Sequence, residues 1–266
     1  MYVYNLQVLK TLCLIADTHR IEWSVLPVDT PCADVEEHIA VAYLQSKSGI
    51  LSLREALDGV DTFTLLMKTR DYSLANIQAT TTGLTPLLDR VLEEKHDSLP
   101  LVQEEIYGLG VSGIYREIDL GDWVEVLPQL VRGAKKHYFT HFLTEISLRS
   151  QKQGVHLQFH DGFIAVLSIK AGVVGFFNTF DYYSVDEAVY FTLLAFHNTL
   201  LEVEKDTLWL SGSIAKGSQL YVSLKKYIRN VEFLHVPEFA SDDYHKYWDH
   251  ISVHKMNRLI LQYADH

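Results

Sequence analysis

Apolar and polar positions alternate most clearly in the middle of the chain. Val155-His156-Leu157-Gln158-Phe159 predicts a half-buried strand, with His156 and His160 on the opposite, solvated or hydrogen-bonded face. His160-Asp161-Gly162-Phe163 follows, and Asp-Gly between two such runs predicts a tight hairpin, because a type I′ turn needs positive φ. Phe163 to Ile169 is a second strand, Lys170-Ala171-Gly172 a turn, and Val173 to Phe180 a third, more buried strand. Ser184-Val185-Asp186-Glu187 is a capping box. Behind it Val185, Ala188, Val189, Thr192, Leu193, Phe196 and Leu200 recur at helical spacing, predicting a helix to about Leu201. Thr207 to Leu210 reads as a short strand ending in Ser211-Gly212-Ser213. Ser218 caps a helix carrying Leu220, Tyr221, Leu224, Tyr227 and Ile228 on one face, and Val231 to Leu234 is a last strand before Pro237.

The first half repeats this order with weaker signals. Leu6–Leu9, Leu12–Ala16 and Ile21–Val28 form a candidate meander turning at Asp17-Thr18-His19-Arg20. Asp34 caps a predicted helix with Glu37 at the box position and Val35, Ile39 and Ala42 facing inward. Thr62 to Met67 is a short strand, and Thr85-Pro86 is a favourable helix start. Leu99 to Ile118 reads as two strands around Gly108-Leu109-Gly110. Two helices follow, the second from about Ala134 to Arg149 with Phe139, Phe142, Leu143 and Ile146 on one stripe. Two meander-α-β-α units in tandem indicate an internal duplication. The expected division is a first lobe with an inserted subdomain over 1–150, and a second lobe with a C-terminal tail over 151–266.

Composition narrows the function classes. The 266 residues are 48% apolar and 12% aromatic, ample for a packed core. A formal charge of −11, from 34 acidic and 23 basic residues, argues against nucleic-acid or anionic-membrane binding. The best basic cluster, Lys225, Lys226 and Arg229, closes a predicted helix, where cations complement the dipole. Cys13 and Cys32 alone make no disulfide framework. Val8 to Ala16 lacks the features of a signal peptide, and no apolar run approaches the roughly 20 residues of a spanning helix. A cytoplasmic protein is expected.

Several catalytic motifs fail on inspection. A Walker A reading of Gly212 to Ser218 needs Gly-Lys-Ser/Thr at its end, but Lys216 precedes Gly217 and Gln219 follows Ser218. Ser213-Ile214-Ala215-Lys216 matches a Ser-x-x-Lys pattern without its companion motifs. Gly108, Gly110 and Gly113 have dinucleotide-loop spacing, but no helix opens there. His137 and His141, and His250 and His254, stand one helical turn apart without the zincin glutamate. They are read as surface rather than metal ligands.

The run Phe176-Phe177-Asn178-Thr179-Phe180, the capped helix, Leu208-Trp209-Leu210-Ser211-Gly212 and Leu224-Lys225-Lys226-Tyr227-Ile228-Arg229-Asn230-Val231 resemble an uncharacterised bacterial protein family. That family has an actin-like ATPase (ribonuclease H-like) fold and is distantly similar to the cytoplasmic actin-like proteins of type IV pilus assembly and type II secretion. The likeness covers roughly Gly154 to Pro237 well and the first half loosely, and it implies an α/β fold of two lobes. Active members of the wider class grip nucleotide phosphates with two hairpins of Asp-x-Gly pattern and back the adenosine with a Gly-Gly loop.

Carried over by position, the resemblance implies a site for ATP and Mg²⁺ at Asp17, Asp161, Gly162, Ser211, Gly212 and Ser213. The departures are specific. Asp17-Thr18-His19 has no Gly, Asp161-Gly162-Phe163 has its Gly one residue early with a bulky ring after it, and Ser211-Gly212-Ser213 has one Gly. Backbone amides approach phosphate only where side chains are absent, so Phe163 would crowd the second hairpin. The expectation is a degenerate or non-catalytic protein working through a protein partner or self-association, without nucleic acid or membrane insertion. A divergent ATPase or phosphotransferase is the alternative.

Overall fold

The computed structural model describes residues 10–16, 20–27, 39–58, 63–67, 72–76, 100–106, 108–117, 120–132, 134–148, 153–160 and 162–234. They divide into two compact units, one drawn from 1–69 and 117–139, the other from 70–116 and 140–266.

In the first unit, β1 (Lys10–Ala16) pairs antiparallel with β2 (Arg20–Pro27), and β2 with β3 (Ile39–Tyr43). The helix α1 (Lys47–Asp58) leads to β4 (Phe63–Met67), parallel to β1. The sheet is completed much later in the chain by β8 (Ala134–His137), giving the order β3-β2-β1-β4-β8. Leu14, Ala16, Ile21 and Trp23 of the meander close on Leu53 and Leu57 of α1, with Leu65, Trp123, Leu127 and Leu130. Leu53 and Leu57 stand one turn apart, so a single apolar stripe seals the helix onto the sheet.

Between β4 and β8 lie β5 (Tyr72–Asn76), β6 (Leu101–Ile106) and β7 (Val111–Arg116), then the short helix α2 (Asp122–Val126) and a 3₁₀ turn (Pro128–Arg132). The strands form a three-stranded antiparallel sheet in the order β5-β7-β6. It belongs to the second unit, where α3 (Tyr138–Leu148) also largely lies. Tyr72 anchors it: its hydroxyl lies 3.0 Å from Thr140 Oγ1, and its ring stacks on Tyr115 and meets Phe177 edge-on. Burial pushes the Tyr72 phenol well above its ordinary range.

The second unit repeats the first topology. β9 (Gly154–Phe159), β10 (Phe163–Lys170) and β11 (Val173–Asp181) form the meander. Then come α4 (Val185–Asn198), β12 (Thr207–Gly212) parallel to β9, α5 (Gln219–Tyr227), and β13 (Asn230–Phe233) parallel to β12. The order β11-β10-β9-β12-β13 reproduces β3-β2-β1-β4-β8 strand for strand. Val155, Leu157, Phe159, Ile164 and Val166 pack on Ala188, Val189, Ala195 and Phe196 of α4 and Leu224 of α5. Ser184 and Glu187 make both bonds of the capping box, and the Ser218 hydroxyl accepts from Tyr221 N. The Ala171-Gly172 turn has φ of 51° and 78°, the left-handed pair of a type I′ hairpin.

Several expectations are corrected. Ile39 and Ala42 lie in β3 rather than on an Asp34-capped helix; pairing with β2 holds Ile39–Tyr43 extended, and the helix begins at Lys47. The segment at Ala134 is a strand, because β4 offers a parallel partner, and the helix begins only at Tyr138. Phe139, Phe142, Leu143 and Ile146 are nevertheless all buried.

The helix after Ser184 stops at Asn198, three residues short. Leu200 turns left-handed at φ 54°, while Leu201 N donates to Phe196 O and Leu200 N to His197 O, the Schellman pair. Tyr227 is exposed rather than on the apolar face of α5, and β5 was not anticipated. β9 and β10 are buried on both faces, so the polar positions of β9 are not solvated, whereas β11, expected to be the more buried strand, is a half-buried to exposed edge. Leu6–Leu9, Asp34, Thr85-Pro86, His250, His254 and the tail lie outside the described residues. Among the described residues no helix is long and apolar enough to cross a membrane.

Candidate functional site

The expected nucleotide residues of the second half converge at the carboxyl ends of β9 and β12, where parallel α/β sheets commonly bind ligands. The Ser211-Gly212-Ser213 segment reaches the end of β9 because β12 runs parallel to it, with Gly212 opposite Phe159, and Gly162 stands just beyond that end, before β10. Asp17 and Asp161 lie outside the described residues.

The hairpin closes with His160 N donating to Phe163 O at 2.9 Å, and Gly162 takes φ 81°. Phe163 is buried, its ring stacked on His160 at 4.5 Å and 13°. His160 Nε2 is 3.1 Å from Gln158 Oε1, so the end of this face of β9 is a buried polar pair capped by an aromatic ring. One step back, His156 is buried and stacks on Trp209. Sequence reasoning missed this row. Its polar residues alternate as a solvent face would, and nothing local says that the face is covered.

The end of β12 and the residue after it are bound to β9 rather than held away from it. The Ser211 hydroxyl is buried and donates to Leu157 O at 3.1 Å. Ser213 N donates to Phe159 O at 2.8 Å, and Ile214 N to Gly212 O. Gly212 has φ 79°, and a Cβ there would overlap the Phe159 carbonyl oxygen. Its lack of a side chain is therefore required by strand packing, whatever else it serves. At Gly162 and Gly217, by contrast, an added Cβ meets nothing within 4 Å.

Elsewhere, His137 is buried at the end of β8 with Nδ1 accepting from Phe139 N at 3.1 Å, and burial pushes its imidazole down to about 3. It is thus a neutral core group rather than the surface residue its helical spacing from His141 indicated. Among the described residues no three of His, Cys, Asp and Glu gather as metal ligands. Lys225 and Lys226 do close α5, as expected.

Comparisons with known proteins agree with this architecture. Residues 128–231 match the model of a family described as "Protein of unknown function (DUF3822)". A protein from Bacteroides thetaiotaomicron "with actin-like ATPase fold and unknown function" is similar over 88% of this chain and 94% of its own, at 15% identity and a TM-score of 0.64. The cytoplasmic domain of EpsL, an inner membrane component of the type II secretion system of Vibrio cholerae, aligns over 79% and 84% at 14% identity, with a TM-score of 0.42. The PilM-PilN type IV pilus biogenesis complex aligns over 96% and 98% at 10% identity, with a TM-score of 0.49. Among curated proteins there is no match. The chain has the actin-like ATPase fold.

Proposed function

We propose that this chain is a cytoplasmic actin-like-fold protein that works through contacts with other proteins, as an interaction or assembly component, and turns over no nucleotide. The observation that carries this reading is the closure of the second hairpin onto itself. Phe163 stacks on His160 immediately after the turn, and the neighbouring loop gives the Ser211 hydroxyl and the Ser213 amide to carbonyls of β9. On this reading these residues do not fit a magnesium triphosphate, which needs amides aimed outward from side-chain-free backbone.

The alternative, a divergent ATPase or phosphotransferase, is favoured by the open space beside Gly162 and Gly217. One experiment separates them. Thermal unfolding with and without Mg-ATP should show no shift, and phosphate release should stay at background. A shift that disappears in Ser213→Trp, at an exposed position of the loop, would overturn the proposal and establish nucleotide binding.

A further inference from the structure

β11 ends the second sheet: among the described residues it pairs with β10 and no other strand. Sheet edges are ordinarily protected by lysine, proline or inward charge. This one carries none of these, since no charged residue or proline stands between Lys170 and Asp181. It has a bulge, with the register shifting between Ser168 and Ile169 and Gly175 left over. Beyond that point Phe176 to Asp181 runs regularly against β10.

The adjoining surface is aromatic. Phe176 stacks on Phe180, Phe180 on Phe191 of α4 at 4.2 Å, and Tyr190 meets Phe191 edge-on. Around this ridge Val173 is 65% exposed, Tyr183 88%, Tyr190 60% and Leu200 77%. A strand edge uncharged from Val173 to Phe180 and flanked by exposed apolar side chains, in a chain of net charge −11, is a place where repulsion between copies is low.

Charge selects the occupant. Beside one end of β11 stands the exposed Lys170, the last residue of β10, which donates to Leu200 O beside the C-terminus of α4; the other end carries the exposed Asp181 and leads to the exposed Asp186 in the first turn of α4. An antiparallel, two-fold arrangement brings the Lys170 end of one copy to the Asp186 end of the other, twice, and sets the two α4 dipoles opposed. A parallel arrangement would place like ends together.

We infer that the β11–α4 edge is a self-association surface and that its occupant is a second copy of this chain in antiparallel register. The inference rests on the reading that the chain acts through protein contacts and names the partner. Its test is oligomeric state, independent of the nucleotide assay.

Sedimentation of the full chain should show a dimer forming in the micromolar range, weakened about tenfold by Lys170→Glu. Adding Asp186→Lys should restore it, and Val173→Lys should abolish it while leaving the melting curve of the monomer intact. Concentration-dependent amide protection should fall within 173–181. A monomer at every concentration, a dimer indifferent to all three variants, or protection of 173–181 in the monomer would overturn the proposal; the last would mean that the chain covers its own edge.

Discussion

The two five-stranded sheets share one strand order and are held together differently. In the first, β1 and β4 lie side by side without a glycine in either strand, and the crossover to β8 carries an entire three-stranded sheet. In the second, β9 and β12 meet through Gly154 and Gly212, at both of which an added Cβ would overlap a carbonyl oxygen of the facing strand, and a nine-residue helix makes the crossover. The same topology thus tolerates an insertion where strand contact is ordinary, and stays short where backbones are in tight contact. In this second unit the β9–β10 turn is sealed by stacking of Phe163 on His160.

The sharpest way to break this comparison is Gly212→Val. Positive φ and overlap with Phe159 O should cost on the order of 4 kcal/mol, read as a large drop in urea midpoint. Acid should act next, and on the first unit. His137 is held neutral when folded, with its pKa at about 3, whereas an unfolded histidine protonates near 6.5. The unfolded state therefore binds the extra proton between these values, so stability is full above about pH 6.5 and falls as the pH drops. The loss at pH 4 should be on the order of 3 kcal/mol, and His137→Gln should flatten that pH dependence of the urea midpoint.

Smaller effects probe the second unit alone. Ser184→Ala removes the cap accepted from Glu187 N and should cost about 1 kcal/mol by chemical denaturation. Leu200→Gly relieves a left-handed leucine at an exposed C′ position and should raise stability by up to about 1 kcal/mol, seen as a higher melting temperature.

The second unit was readable from sequence because its signals are local. The Ser184 box, the Ser218 cap and the two hairpin turns act within a few residues of themselves. The first unit was less so: Ile39–Tyr43 is short and apolar, and β2 rather than any local preference decides that it is extended. Ala134–His137 is a strand for the same reason, with β4 as its distant partner. The candidate site was legible in position and not in state. Gly212 and the β9–β10 hairpin do adjoin, but the overlap that demands glycine at 212 comes from Phe159, on a strand far earlier in the chain.

The sheet inserted between β4 and β8 has a kinetic consequence. Thr64 pairs with Ala134, whereas Thr207 pairs with Asn230, so the first crossover closes a loop about three times longer. Closing it costs roughly 1 kcal/mol more in chain entropy and slows the search for the partner strand. During synthesis β1 to β4 emerge early yet wait for β8 to complete their sheet. The crossover from β12 to β13 can close almost as soon as it is made, so the unit translated later is set to finish its sheet quickly.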